Sequence, residues 1–183
     1  MGSRVPARRG GGRSPPGSIG TGVRAVGFDP GLAATGFAAL DGGHRLVVVG
    51  SGVIRTHGAD PLEARLEQIF GGVQGVLDAF RPDLVVIEDV FSAPRVPRAA
   101  ILMGYARAMI CLAGRQRKVT LLSVAPAEVK RAVTASGSAG KGQVARAVQS
   151  LLRLPAPPRP THIADALALA FTGLSRAGAL PRS

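Results

Sequence analysis

Cysteine is almost absent: the 183 residues hold one, Cys111, so no internal disulfide can form. No His or second Cys stands beside it at metal-ligand spacing, and a reducing, cytoplasmic setting is expected. Lysine is nearly as scarce. Only Lys118, Lys130 and Lys141 contribute to the 23 basic side chains, the rest being arginine, the better group for bidentate phosphate contact. A GC-rich coding sequence would also enrich arginine along with alanine, glycine and proline, so the charge itself carries more weight. Acids are few: 11 against 23 gives +12, which points to a polyanionic partner. No apolar run is long enough to span a membrane. The nearest approach, residues 99–114, falls short of the roughly 20 residues a span needs and is interrupted by Arg107; it reads as a buried or dimer-facing helix. No internal repeat is present, and the length suits one core, not two full lobes.

Residues 1–21 hold Arg4, Arg8, Arg9 and Arg13, no acid, and many Gly, Pro and Ser. They read as a disordered basic tail and not as a signal peptide, because a hydrophobic centre is missing. The remainder keeps 19 basic against 11 acidic residues, or +8, so the tail is not the sole source of basicity. A single globular unit is expected over 22–176, followed by a short flexible end, 177–183.

Within that unit three strand-like runs, 23–28, 35–40 and 46–54, are separated by Asp-Pro-Gly and Asp-Gly-Gly turns and form an antiparallel meander. The stretch "DPLEARLEQIFGGVQGVLDAFRP" follows, with Asp60 as expected cap, Pro61 at the first helical position and an apolar stripe from Leu62 to Phe80, until Pro82 stops the helix. A buried strand at 84–87, the apolar helix, a strand at 119–124, and helices at 126–134, 141–152 and 161–175 complete the order. Five strands with helices between and after them make an α/β fold with a mixed sheet.

Two strands end in acid, at Asp29 and at Glu88-Asp89. A strand-helix-strand crossover makes the two strands parallel and brings their carboxyl ends together, the edge where α/β sheets bind ligands. Paired carboxylates repel unless a cation or shared proton offsets the cost. Taken singly, each acid is also explained by ordinary turn chemistry. A third signal is "RPTHIADALALAF": His162 and Asp165, at i and i+3, share one side of a helix apolar all round, so they are held in a crevice. Here too a bland alternative exists, with Thr161 as cap and Asp165 complementing the helix dipole. Asp29, Glu88, Asp165 and His162 have the chemistry for metal-assisted phosphodiester hydrolysis, in which two ions about 4 Å apart activate water and stabilise the leaving oxygen.

In this order, "GFDPGLAATGFA", "VVIEDVF", "VKRAVTASGSAGKGQVARAVQSLLRLP" and "HIADALALAF" resemble the RuvC family of Holliday-junction resolvases, from about residue 23 to 174. The resemblance implies a ribonuclease-H-like fold, a homodimer, and paired symmetric nicks across a four-way DNA junction that leave 5′-phosphates. It also implies dependence on Mg²⁺, two ions per subunit with Mn²⁺ able to substitute, and partnership with a RuvA/RuvB-type branch-migration complex. By position, Asp29, Glu88 and Asp165 match the family's metal carboxylates, and His162 falls where many members have a fourth Asp, as ligand or as proton carrier. Lys130 and Lys141 match positions near the scissile phosphate, Lys141 among the catalytic groups; "SGSAGKG" is independently a phosphate cradle at a helix mouth. The alternative for both lysines is a solvated surface charge. Phe91 matches an aromatic that stacks on a base opened at the junction centre, or else anchors its loop. Arg95, Arg98 and Arg107 are expected along the DNA path.

Three rivals follow. Another ribonuclease-H-like nuclease, acting on RNA or other branched DNA, would share the metal chemistry. A two-lobed ATPase or sugar kinase, suggested by "FDPGLAATG", needs more chain than 183 residues. A non-catalytic junction-binding module would not benefit from three acids beside DNA.

Overall fold

Each strand carries side chains alternately to its two faces, and here both faces are apolar, so the sheet must be covered twice. The computed structural model describes residues 22–89 and 97–181, with Pro97 and Arg98 described for their backbone only. Ten elements follow in chain order: β1 (Arg24–Asp29), β2 (Ala34–Asp41), β3 (Val47–Arg55), α1 (Leu62–Phe80), β4 (Leu84–Glu88), α2 (Pro97–Gln116), β5 (Thr120–Val124), α3 (Pro126–Thr134), α4 (Lys141–Leu151) and α5 (Thr161–Arg176). The sheet order is β3-β2-β1-β4-β5. The β1–β2 and β2–β3 pairs are antiparallel and the β1–β4 and β4–β5 pairs parallel, the mixed five-stranded sheet expected from the sequence.

Alternation divides the interior into two cores. Val26 and Phe28 of β1 with Val85 and Ile87 of β4 pack against Ile69, Val73 and Val76 of α1 and Ala106 and Ile110 of α2. Ala25, Leu84 and Val86 face the other way, onto α5, which lies under α3 and α4. Every residue of α5 from Ala166 to Leu174 is buried, which explains a helix with no wet face. The Arg inside the greasy first strand has a local reason. Arg24 sits at its outer end and forks onto both carboxylate oxygens of Asp41 on β2, at 2.5 and 2.7 Å, closing the sheet edge opposite the acids.

Several expectations are corrected. Asp60 does not cap α1: Pro61 takes the cap position, and the Asp60 carboxylate instead accepts from the Gln68 side-chain amide at 2.6 Å. Thr161 is the first residue of α5, with Pro160 as its cap, so no side chain caps that helix. In the expected flexible end, Ala179 is buried, donates to the Leu174 carbonyl and accepts from the Gly43 amide. The α2 helix is 20 residues long, yet among the described residues no helix is long and apolar enough to cross a membrane. The expected basic tail, 1–21, lies outside the described residues.

Candidate active site

Asp29 and Glu88 meet because of register. Phe28 pairs with Ile87 across the parallel β1–β4 ladder, so Asp29 and Glu88 are the next residue on each strand. The third contribution comes from α5, and two glycines set its height. Gly36 stands opposite Asp29 on β2, and a Cβ there would fall 2.3 Å from the His162 carbonyl oxygen. At Gly27 a Cβ would lie 2.1 Å from the Ala166 carbonyl oxygen. Only hydrogen at these positions lets the helix backbone lie on the sheet, and that approach carries His162 and Asp165 to the strand ends.

Asp29, Glu88, His162 and Asp165 then line one pocket of about 460 Å³, with Lys130 of α3 and Lys141, the first residue of α4, on its wall. Two cavities of about 540 and 650 Å³ elsewhere are lined by no acidic residue. Within the site, His162 Nδ1 lies 2.6 Å from Asp29 Oδ2. Among the described residues no three His, Cys, Asp or Glu side chains are arranged as they stand to hold a metal ion.

The electrostatics show what such clustering costs. Burial, then the Asp29 and Asp165 charges, raise the Glu88 carboxyl from its ordinary 4.5 to about 7, against the opposing pull of Lys141 and Lys130. Burial also raises Asp29 and outweighs both its bond to His162 and the Lys141 charge. Asp165 rises through burial and then the Asp29 charge. Carboxylates that are this reluctant to ionise together are relieved by a divalent cation, and the donor set of three hard oxygen acids and one imidazole suits Mg²⁺ or Mn²⁺.

Other residues serve the site that sequence reasoning had not singled out. Thr35 is fully buried, and its hydroxyl donates to the Gly31 carbonyl at 2.9 Å, fastening the Pro30-Gly31 turn that follows Asp29. Thr56 Oγ1 donates to the Leu32 carbonyl at 2.7 Å and holds the same loop from β3's side. Their sequence signal is slight, a hydroxyl in or beside an apolar strand. Arg107, expected on the DNA path, is half-buried and bonds within the chain. Its Nη1 donates to the Glu88 carbonyl at 3.0 Å and its Nη2 to Ser123 Oγ at 2.8 Å. Phe91 and Arg95 lie outside the described residues, as does the side chain of Arg98.

Comparison with known proteins identifies the family. The family model described as crossover junction endodeoxyribonuclease RuvC matches residues 25–173. A crossover junction endodeoxyribonuclease RuvC of Parafrankia sp. is 43% identical over 162 residues, covering 87% of this chain and 90% of its own. The protein of the same name from Streptomyces avermitilis is 44% identical over 166 residues, covering 87% and 92%. Among solved structures, Thermus thermophilus RuvC in complex with Holliday junction substrate superposes with a TM-score of 0.78 at 32% identity, covering 86% of this chain and 97% of that one.

Proposed function

This chain belongs to the RuvC family of crossover junction endodeoxyribonucleases, and from that premise we propose that it resolves four-way DNA junctions with Asp29, Glu88, His162, Asp165 and Lys141 as its catalytic groups. The observation that carries the assignment is the single pocket into which β1, β4 and α5 deliver three carboxylates and an imidazole beside two lysines. The fold is ribonuclease-H-like, and the enzyme is a metal-dependent endonuclease acting on Holliday junctions in recombination and repair.

Asp29, Glu88 and Asp165 would be the oxygen ligands of Mg²⁺, two per subunit with Mn²⁺ as substitute, and the bound ions would supply Lewis acidity. His162, with Nδ1 engaged by Asp29, keeps Nε2 for a ligand bond or a proton. The ammonium groups of Lys141 and Lys130 stabilise the charge that accumulates on the non-bridging phosphate oxygens. A P–O bond forms to the water oxygen, which gives up a proton to solvent or a neighbouring base, as the P–O3′ bond breaks. The 3′ oxygen takes up a proton in exchange, leaving a 3′-hydroxyl and a 5′-phosphate that can be religated.

Paired symmetric nicks need two such centres, so the working form is a cytoplasmic homodimer. Phe91, Arg95 and Arg98 contribute to junction binding, the basic residues 1–21 add salt-sensitive affinity, and a RuvA/RuvB-type complex delivers the substrate. Testing requires a synthetic four-way junction incubated with Mg²⁺ and mapped on all four strands. The expected outcome is two symmetric nicks with 5′-phosphates, and little cleavage of linear duplex of the same sequence. Equal rates on both would favour a different ribonuclease-H-like nuclease, and junction binding without nicking would favour a non-catalytic module.

A further inference from the structure

A guanidinium is planar and offers its donors as a rigid fork, so where it points is where it can fix geometry. Arg107 projects from α2 with its side chain 21% exposed, and each terminal nitrogen gives one N–H to a protein acceptor: the Glu88 carbonyl at 3.0 Å and Ser123 Oγ at 2.8 Å. Asp89 Oδ1 lies 3.9 Å from the same Nη2. One side chain thus ties a helix to the carboxyl ends of two neighbouring strands.

Glu88 is the place where such a tie matters. The β1–β4 pairing ends at Phe28 and Ile87, so Glu88 has no ladder partner on β1. On the other side β5 still holds the chain, through Val124 opposite Glu88 and the bond from the Asp89 amide to the Val124 carbonyl at 2.8 Å. Arg107 grips the Glu88 carbonyl, the peptide plane that leaves this residue, and braces itself on β5 through Ser123. The direction of a side chain follows from its backbone, so holding that plane aims the Glu88 carboxylate toward Asp29 and Asp165.

We propose that Arg107 is a positioning residue for Glu88: with Ser123 it locks α2 to the ends of β4 and β5 and sets the carboxylate geometry on which cation binding depends. The proposal rests on the reading of Glu88 as a metal ligand. It assigns Arg107 no contact with DNA, in contrast to the expectation from the sequence. Groups that orient metal ligands commonly cost about ten- to a hundredfold in metal affinity or activity when removed.

Three variants test it: Arg107→Lys keeps the charge and loses the fork, Arg107→Gln loses both, and Ser123→Ala leaves Arg107 intact but removes its brace. Each is measured for Mn²⁺ binding by calorimetry without DNA, for the Mg²⁺ concentration at half-maximal nicking, for junction affinity by fluorescence anisotropy in chelator, and for Tm. Arg107→Lys and Arg107→Gln should weaken metal binding about tenfold or more, with Ser123→Ala a milder change in the same direction, while junction affinity stays within about twofold. Should Arg107→Gln fail to fold, Ser123→Ala and Arg107→Lys carry the test. Weaker junction binding by Arg107→Gln with an unchanged metal requirement would make Arg107 a DNA contact and overturn the proposal, as would no change in any variant. Glu88→Gln separates the two layers. If it retains metal binding, the ligand assignment itself fails; if it loses metal while the Arg107 and Ser123 variants behave as the unaltered protein, only the positioning role fails.

Discussion

The Glu88 carboxyl, held up to about 7 by burial and by the Asp29 and Asp165 charges, makes the folded protein bind a proton more tightly than the unfolded chain does. Between pH 4.5 and about 7 the folded state therefore carries the excess proton, and stability falls as pH rises through that window. Asp29 and Asp165, also raised, act in the same direction. In chelator, denaturant melts of the unaltered protein should lose stability from pH 4.5 to 7, and Glu88→Gln should flatten the loss. At pH 8 that variant should be more stable by about 1 to 2 kcal/mol after allowance for solvent screening, and its nicking should be abolished. Equal pH profiles for the two proteins would contradict the repulsion described here. His162 makes a second residue-scale case. Its imidazole meets Asp29 at 2.6 Å where a carboxylate would add one more negative charge to the cluster. His162→Asp should lower the Mg²⁺ needed for half-maximal nicking and reduce the advantage of Mn²⁺; an unaltered metal preference in paired titrations would rule this out.

Among the elements, α5 decides whether the site exists, because its backbone rests on two positions that have no side chain. Gly36→Ala would drive a Cβ against the His162 carbonyl, a clash that only movement of the helix start can relieve. The expected result is a destabilisation of about 1 to 3 kcal/mol in urea melts and a nicking rate down on the order of a hundredfold, as a displacement near 1 Å separates His162 from Asp29. A variant with the unaltered rate would show that this close approach does not position the site. The elements themselves were legible in the sequence to within a few residues at most ends. Leu62 to Phe80 keeps helical spacing to Pro82, and the strands of β1 and β4 are apolar runs closed by an acid, patterns that adjacent residues already contain. The nearness of Asp29 and Glu88 was legible for a related reason, since acids at strand ends become neighbours once the crossover is parallel, while His162 and Asp165 were readable only as an i, i+3 pair on an apolar helix. What stayed hidden depends on partners far along the chain. Asp60 reads as a cap but finds Gln68, and Arg107 reads as a surface cation but finds Glu88 and Ser123. Gly36 reads as a strand weakness until the β2–α5 approach is known, and Thr35 as one more β-branched residue until the turn it fastens is built.

At the scale of the whole molecule, one pocket can cut one strand, whereas resolving a four-way junction takes two cuts in strands of like polarity at symmetrically equivalent positions. A twofold pair of chains answers that geometry directly. The proposed dimer would use the outer side of α2, where Ile101, Tyr105 and Leu112 are exposed at 54%, 39% and 46% and fall, with Ala108, on one helical stripe. Such a stripe opposite Ala106, Ile110 and Ala113, which face the core, leaves α2 apolar on two sides, as a helix shared between copies would be. Arg107 lies between these sides, so a partner seated on α2 would bear on the same helix that holds Glu88. Replacing Leu112 and Ile101 together by Glu puts two like charges into each half of a self-complementary contact, four across the twofold axis. Sedimentation should then show monomers whose Tm in chelator is close to that of the unaltered chain, because neither side chain belongs to the core. Simultaneous nicking on a four-way junction should be lost, leaving slow, uncoupled single nicks. A monomeric double variant that still makes paired symmetric cuts at the full rate would mean that one chain suffices, and the twofold reading of this enzyme would have to be abandoned.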